Sequence, residues 1–278
     1  VPELPEVETI ARDIRPHVQG RRIERAIVLR GDILRKVTRP AFERGVTGRR
    51  VTLVGRRAKH VVIELDNGWR VVIQPRMTGA LLVDHVASSW QRGTGDPYDT
   101  IRFELDSGKL LRFRDVRRLG AVFLLDPAKW EKYTTAIGPE PLEPSFTAAR
   151  LHEILKGGRL AVKKAIMDQK RLAGVGNIYA NEALWMAGID PSRESRRITA
   201  EESARLHAAI VDILARSIDG RGTTVRDYKT GTGEPGSFQG RLAVYERNGQ
   251  PCLRCGRRIA LTHAIDARSS YFCPGCQR

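Results

Sequence analysis

GPEPLEPS, residues 138–145, is the stretch on which the fold turns. Proline lacks the amide proton that a helix or an inner strand requires. Pro139, Pro141 and Pro144, interleaved with Glu140 and Glu143, therefore read as an interdomain linker, taken as 138–146. The sequence changes character on either side of it. Before it, branched apolar residues alternate with polar ones, the two-residue period of strands. After it, apolar residues recur every three or four positions, the period of helices.

Working back from the linker, the strand-like runs are AVFLLD (121–126), KLLRFR (109–114), TIRFEL (100–105), WRVVIQ (69–74), KHVVIEL (59–65), RRVTLVGRR (49–57) and RRIERAIVLR (21–30). Asp66-Asn67-Gly68 and Asp106-Ser107-Gly108 are hairpin turns. Short strands joined by tight turns predict an antiparallel β-sandwich as domain 1–137. Its opening is different. In VPELPEVET (1–9), Pro5 suits the first turn of a helix and Glu6 and Glu8 suit its positive end. Val7, Ile10, Ala11, Ile14 and Val18 follow at helical spacing, so a helix over Pro5–Val18 is predicted. None of this accounts for Pro2 beside Glu3, ahead of the helix.

Working forward, Thr199 and Glu202 form a capping box for a helix reaching Ile218. Ala204, Ala208, Val211, Leu214 and Ile218 are its expected buried face. In GVGNIYANEAL (174–184), Gly174 and Gly176 permit tight turns and Asn177 is placed to cap the next helix. Amides at such a helix start can hold a phosphate, although most Gly-x-Gly turns are only turns. RGTTVRDYKTGTGEPGSFQG (221–240) carries five glycines and reads as a long loop. The helical domain is thus 147–240, and the tail 241–278. The fold class is α+β.

All four cysteines lie in the tail, as C-x2-C-x17-C-x2-C: Cys252, Cys255, Cys273 and Cys276. Two thiolate pairs at this spacing predict one structural, tetrahedral zinc ion. Two disulfides are the alternative, and a reducing compartment disfavours them. His263 is a conceivable ligand, but four thiolates already close the site. Arg257, Arg258 and Arg268 lie between the pairs with one acid, Asp266, so the metal holds a basic hairpin.

Charge points to the partner. The 278 residues carry 48 Lys and Arg against 32 Asp and Glu, a net charge of +16, which favours an acidic polymer over a merely soluble basic protein. At 41% hydrophobic residues the chain can bury a core, yet no apolar run is long enough to span a membrane. The N-terminal residues lack a basic-then-apolar signal pattern, so a cytoplasmic protein is expected. Lys59 in GRRAKH, Met77 in QPRMTGA, and Arg117 and Leu119 in FRDVRRLG sit near strand ends. Arginine and apolar wedges there can probe a duplex. A basic rim with two core residues is the plainer reading of the pattern alone.

PELPEVE at the start, VGNIYANEAL in the middle and ARSSYFCPGCQ at the end, three motifs in order from Pro2 to Gln277, resemble bacterial formamidopyrimidine-DNA glycosylase, of the superfamily shared with endonuclease VIII. The resemblance implies a β-sandwich, a helix–two-turn–helix domain and a zinc finger. It also implies an answer to the Pro2-Glu3 question. With the initiator removed, Pro2 becomes the terminus, and its secondary amine attacks C1′ of a damaged nucleotide. An α-amino group titrates near pH 8, so a useful fraction is neutral. The cationic imine that follows is an electron sink, and both phosphates are then eliminated.

By the same resemblance Glu3 is the adjacent acid/base, Lys59 serves β-elimination and Arg268 serves δ-elimination. Arginine is a poor proton donor, so Arg268 reads physically as a phosphate clamp. Met77, Arg117 and Leu119 would fill the gap left by the flipped base, with Leu119 standing where the family carries phenylalanine. Tyr98, Arg117, Arg159 and Asn177, with Lys59 and Arg268, would contact phosphates; Tyr98 replaces a histidine. Loop 221–240 would cap the base. That loop, with Met77 and Arg117, favours oxidised purines (8-oxoguanine and formamidopyrimidines) over the oxidised pyrimidines of endonuclease VIII. The expected partner is double-stranded DNA with oxidised bases or abasic sites, and the expected state is a bacterial, nucleoid-associated monomer. Val1 stands where methionine is expected and reads as a literally translated GTG start. A retained Val1 would acylate Pro2, leaving a non-catalytic, zinc-dependent DNA-binding protein.

Overall fold

A computed structural model describes residues 2–85, 96–223 and 231–278. The chain divides into two compact units, Val1–Thr135 with Gly220–Ser237, and Ala136–Asp219 with Phe238–Arg278. Val1 and residues 224–230 of the expected capping loop lie outside the described residues.

The first unit opens with α1 (Leu4–Val18), whose Val7, Ile10, Ala11, Ile14 and Val18 are all buried, as the spacing predicts. Two four-stranded antiparallel sheets follow among the described residues. One has the order β1 (Ile23–Val28), β6 (Asp99–Leu105), β7 (Lys109–Asp115), β5 (Gly79–His85). The other runs β2 (Val51–Arg57), β3 (His60–Leu65), β4 (Arg70–Gln74), β8 (Ala121–Leu125). One core cluster joins them, with Val61, Ile63, Val71, Ile73 and Val122 from one sheet, Ile101, Phe103, Leu111 and Phe113 from the other, and Ile10 and Ile14 from α1. Gly68 and Gly108, at φ +76° and +72°, occupy the left-handed positions of the two expected hairpin turns.

Three elements of this unit carry no sequence signal strong enough to read. α2 (Arg39–Val46) buries only Phe42 and Val46. α3 (Pro127–Thr135) buries none of its residues, so it has no apolar stripe. β5 begins at a glycine and lacks alternation.

The second unit contains α4 (Ala148–Lys156), α5 (Val162–Met167), α6 (Asn177–Ala187) and α7 (Ala200–Asp219), with the hairpin β9 (Ala260–Thr262) and β10 (Ser270–Phe272). α6 is buried on nearly every side. The Thr199–Glu202 capping box forms at 2.9 and 3.2 Å. The buried face of α7 is not the predicted one. Leu214 and Ile218 are buried, but Ala204 and Ala208 are exposed, and Leu206, Ile210 and Ile213 turn inward with Ser203 and Ser217. The larger side chains win the core, and the serines are tolerated because they are bonded: Ser217 Oγ lies 2.5 Å from the Tyr179 hydroxyl.

The stretch 138–146 packs within the second unit. The Gly138 amide donates to Gln169 O at 2.8 Å, the Ala173 amide to Pro139 O at 3.0 Å, and Phe146 is buried. The loop after α7 makes its bonds with the first unit: the Thr223 amide donates to Glu6 Oε1 at 2.8 Å and the Gly231 amide to Asp13 Oδ2 at 2.9 Å.

Candidate active site

In the first unit, Pro2 and Glu3 are buried and lead directly into α1, with Glu3 as its N-cap. The Glu3 amide donates to Glu6 Oε2 at 2.8 Å. A carboxylate at this end of a helix is favoured by the helix dipole. α1 packs on β2 and β3, whose connecting turn carries Lys59. The turn is tied back to the opening motif. Arg56 donates to Ala58 O at 2.9 Å and to Glu8 Oε2 at 3.1 Å, so Glu8 of PELPEVE braces the Lys59 turn. On the other side, His60 Nδ1 lies 3.1 Å from Arg57 O, and its Nε2 lies 3.0 Å from the Tyr133 hydroxyl. A carbonyl only accepts, so Nδ1 carries a proton and donates to Arg57 O. Burial pushes the Tyr133 phenol up from its ordinary value, which keeps it protonated.

Met77 and Arg117 come together, with Arg117 Nη1 3.5 Å from Met77 Sδ. Met77 is 36% exposed, Arg117 is exposed and Leu119 is half-buried, so neither apolar residue belongs to the core. Tyr98 is 43% exposed, and the Arg114 guanidinium lies over its ring at 4.9 Å. Arg114 donates to Asp96 at 2.6 Å. Partial burial works against the Asp96 charge, but the Tyr98 amide and Arg114 hold its carboxyl below the ordinary value.

In the second unit, Asn177 is the first residue of α6 and Gly176 is its N-cap, without a side-chain bond. Asn177 therefore does not cap the helix as expected. Its Nδ2 donates instead to Ser269 O at 3.1 Å, beside Arg268, and its buried Oδ1 has no partner among the described residues. The fully buried Lys163 reaches the same stretch, with Nζ 2.7 Å from Ser270 Oγ. Arg268 is exposed on the β9–β10 loop, and its amide donates to Asp266 Oδ1 at 2.7 Å. Arg159 is exposed between α4 and α5. It belongs to a positive group, led by the Arg196 hydrogen bond, that lowers the Glu194 pKa.

The four cysteines converge, all four sulfurs lying within 4.8 Å of one another. Cys252 and Cys276 are 3.8 Å apart, and Cys255 and Cys273 are 3.4 Å apart. A tetrahedron of sulfurs about 2.3 Å from a zinc ion has edges of about 3.8 Å, so the set fits the metal. The thiols cannot all ionise by themselves. Burial and then the neighbouring thiols push Cys276 up to about 12, while Cys252 drops to about 6 against its own burial through the Arg254 amide and the Trp185 indole. A cation removes that conflict. His263 is not in the group; its Nε2 faces Ser269 Oγ at 3.1 Å.

Glu182 is the functional-looking group that sequence reading missed. It is 1% exposed on α6 and accepts three amides, from Ala243, Val244 and Tyr245, at 2.8 to 2.9 Å. Burial pushes its pKa up, against amides that favour the charge. One acid inside the apolar NIYANEALWMA was the available signal. Lys163 had none, since nothing in a Lys-Lys pair says which member is buried.

Three family models match in chain order: the formamidopyrimidine-DNA glycosylase N-terminal domain over residues 1–122, the H2TH domain of the same enzyme over 137–229, and a zinc finger found in FPG and IleRS over 249–278. Formamidopyrimidine-DNA glycosylase of Chloroflexus aggregans is 41% identical over 277 residues, covering 100% of this chain and 98% of the relative. MutM (FPG) from Thermus thermophilus superposes with a TM-score of 0.86 at 35% identity, covering 99% and 98% of the two chains. Lactococcus lactis Fpg bound to DNA containing an abasic site does so with a TM-score of 0.89 at 28% identity, covering 99% of each chain. Sandwich, turn-linked helices and four-thiol finger define a zinc-bearing DNA-binding protein. More narrowly, the chain belongs to the formamidopyrimidine-DNA glycosylase family.

Proposed function

We propose that Pro2 is the nucleophile of this protein and that Glu3 manages the proton of the departing base. The protein is an enzyme, a bifunctional DNA glycosylase and AP lyase that acts on oxidised purines. In this reading the Pro2 amine, freed of Val1, forms a bond to C1′ as the base leaves with the electron pair of the broken glycosidic bond. Opening of the C1′–O4′ bond, with a proton taken up by O4′, gives a cationic imine that acidifies C2′; loss of the C2′ proton expels the 3′ phosphate, and loss of a second proton, from C4′, expels the 5′ phosphate. Lys59 handles the proton of the first elimination. Arg268 clamps phosphate for the second, and the zinc ion holds the hairpin on which it stands. Tyr98, Arg117, Arg159 and Asn177 take further phosphates; Met77, Arg117 and Leu119 fill the gap; loop 221–240 covers the flipped base. The working state is a cytoplasmic, nucleoid-associated monomer on duplex DNA.

The observation that supports this most is the N-terminal pair itself. Pro2 and Glu3 are buried ahead of α1, and Glu8 of the same motif is bonded through Arg56 to the turn bearing Lys59. Glu3→Gln separates the steps. It should lose base release from an 8-oxoguanine duplex by about a hundredfold or more while still cutting a preformed abasic site. Equal loss of both activities, or of neither, contradicts the assignment of Glu3.

A further inference from the structure

The chain crosses from one sheet to the other twice in the same region. Residues 75–78 lead from β4 to β5, and residues 116–120 lead from β7 to β8. β4 pairs with β8, Gln74 opposite Ala121, and β5 pairs with β7, Gly79 opposite Asp115. The two crossovers therefore start and end on paired residues. The first carries Met77 and the second Arg117 and Leu119.

Asp115 lies between them, fully buried. Its Oδ1 accepts the Thr78 hydroxyl at 2.5 Å and its Oδ2 accepts the Gly120 amide at 2.7 Å. Thr78 Oγ1 in turn accepts the Arg117 amide at 3.1 Å. Every one of these bonds joins one crossover to the other or to the carboxylate between them. Packing closes the remaining freedom. A Cβ on Gly79 would lie 2.3 Å from Pro75 O and 2.9 Å from the Phe113 ring; one on Gly120 would lie 2.8 Å from that ring and 2.9 Å from Asp115 Oδ2. Arg76 and Arg118 are held left-handed, at φ +52° and +51°. Backbone of that kind persists only where the surroundings over-determine it. A buried carboxylate without a cation among these partners is costly, and the proposed chemistry at C1′ does not use it.

We infer that Asp115 and Thr78 are positioning residues that lock the two crossovers into one block, so that Met77 and Arg117 enter the duplex together. The inference rests on the reading that these two residues fill the gap. It predicts a split between substrates: a base that must leave an intact stack needs the block, whereas an abasic site in single-stranded DNA does not.

The test uses the full-length, zinc-loaded protein beginning at Pro2. Thr78→Val keeps the shape and removes the hydroxyl; Thr78→Ser restores it; Met77→Ala tests the underlying reading. Single-turnover base release is measured on a duplex with 8-oxoguanine opposite cytosine, and strand cleavage on a single-stranded abasic oligonucleotide. Thr78→Val should slow base release about tenfold or more while cleavage stays within about threefold, and Thr78→Ser should restore base release. If Met77→Ala slows base release but Thr78→Val does not, the brace is wrong and the wedge stands. If Met77→Ala has no effect, the wedge reading itself fails. If Thr78→Val lowers both activities equally and Thr78→Ser rescues neither, Thr78 is merely structural and the inference is overturned.

Discussion

Replacing Glu182 is the sharpest test of how the finger is attached to its helix. Glu182 Oε1 accepts the Val244 and Tyr245 amides, and Oε2 accepts the Ala243 amide. In Glu182→Gln, the amide oxygen can keep the first two, but its NH₂ group meets the Ala243 N–H donor to donor. One buried amide is stranded and the charge assistance to the other two is lost. A stranded buried donor costs about 1–3 kcal/mol, and bonds to a charged group exceed neutral ones by roughly 1 kcal/mol. The variant should therefore lose about 3–5 kcal/mol. At about 2–4 °C per kcal/mol for a domain of this size, its unfolding midpoint should fall by roughly 6–20 °C. The segment also feeds the finger, because Ala243 and Val244 share an apolar cluster with Trp185, Cys252 and Cys273. Calorimetry of the zinc-loaded protein reads the first effect, and zinc release to a chromogenic chelator reads the second, which should be faster. A midpoint unchanged to within about 1–2 °C would refute the reasoning, because it would mean the carboxyl is already protonated in the folded state.

Cys255→Ser should release zinc and abolish DNA binding, since metal affinity is folding free energy in so small a module; retained one-to-one zinc with full binding would count against it. Affinity for duplex DNA should fall linearly with the logarithm of salt, and Arg268→Ala should reduce the slope by about 0.9, one phosphate's share, as fluorescence anisotropy across a salt series would show. Glu202 accepts Arg193 at 2.6 and 2.9 Å, and chiefly that bond lowers its pKa. A lowered folded pKa contributes stability above the ordinary glutamate value and loses it as pH falls through the folded one. Acid unfolding followed by tryptophan fluorescence should therefore begin below about pH 4.3, and Glu202→Gln should be less stable at neutral pH with a flatter acid limb.

What the sequence disclosed follows from which interactions are local. Hairpin turns at Asp66-Asn67-Gly68 and Asp106-Ser107-Gly108, the Thr199–Glu202 box and the apolar stripe of α1 are written within a few residues of themselves. The cysteine spacing was equally legible, because a tetrahedral ion leaves few ways to arrange two thiol pairs. Asn177 failed as a cap because its preferred partner, Ser269 O, is far along the chain. The buried face of α7 departs from the spacing because the larger Leu206, Ile210 and Ile213 take the core from alanines and two hydrogen-bonded serines are buried with them. Asp115, Glu182 and Lys163 stayed hidden for one common reason: their partners are distant amides, hydroxyls or carbonyls, and no periodicity announces those.

In the proposed mechanism one N-terminal amine both displaces the base and drives strand scission. Borohydride reduction of the protein beginning at Pro2, mixed with a duplex carrying 8-oxoguanine opposite cytosine, tests it directly. The imine should be trapped as a covalent protein–DNA adduct, and digestion followed by mass spectrometry should place the DNA remnant on the peptide that starts with Pro2. Cleavage of the duplex with no trapped adduct, or an adduct on the peptide containing Lys59, would contradict it.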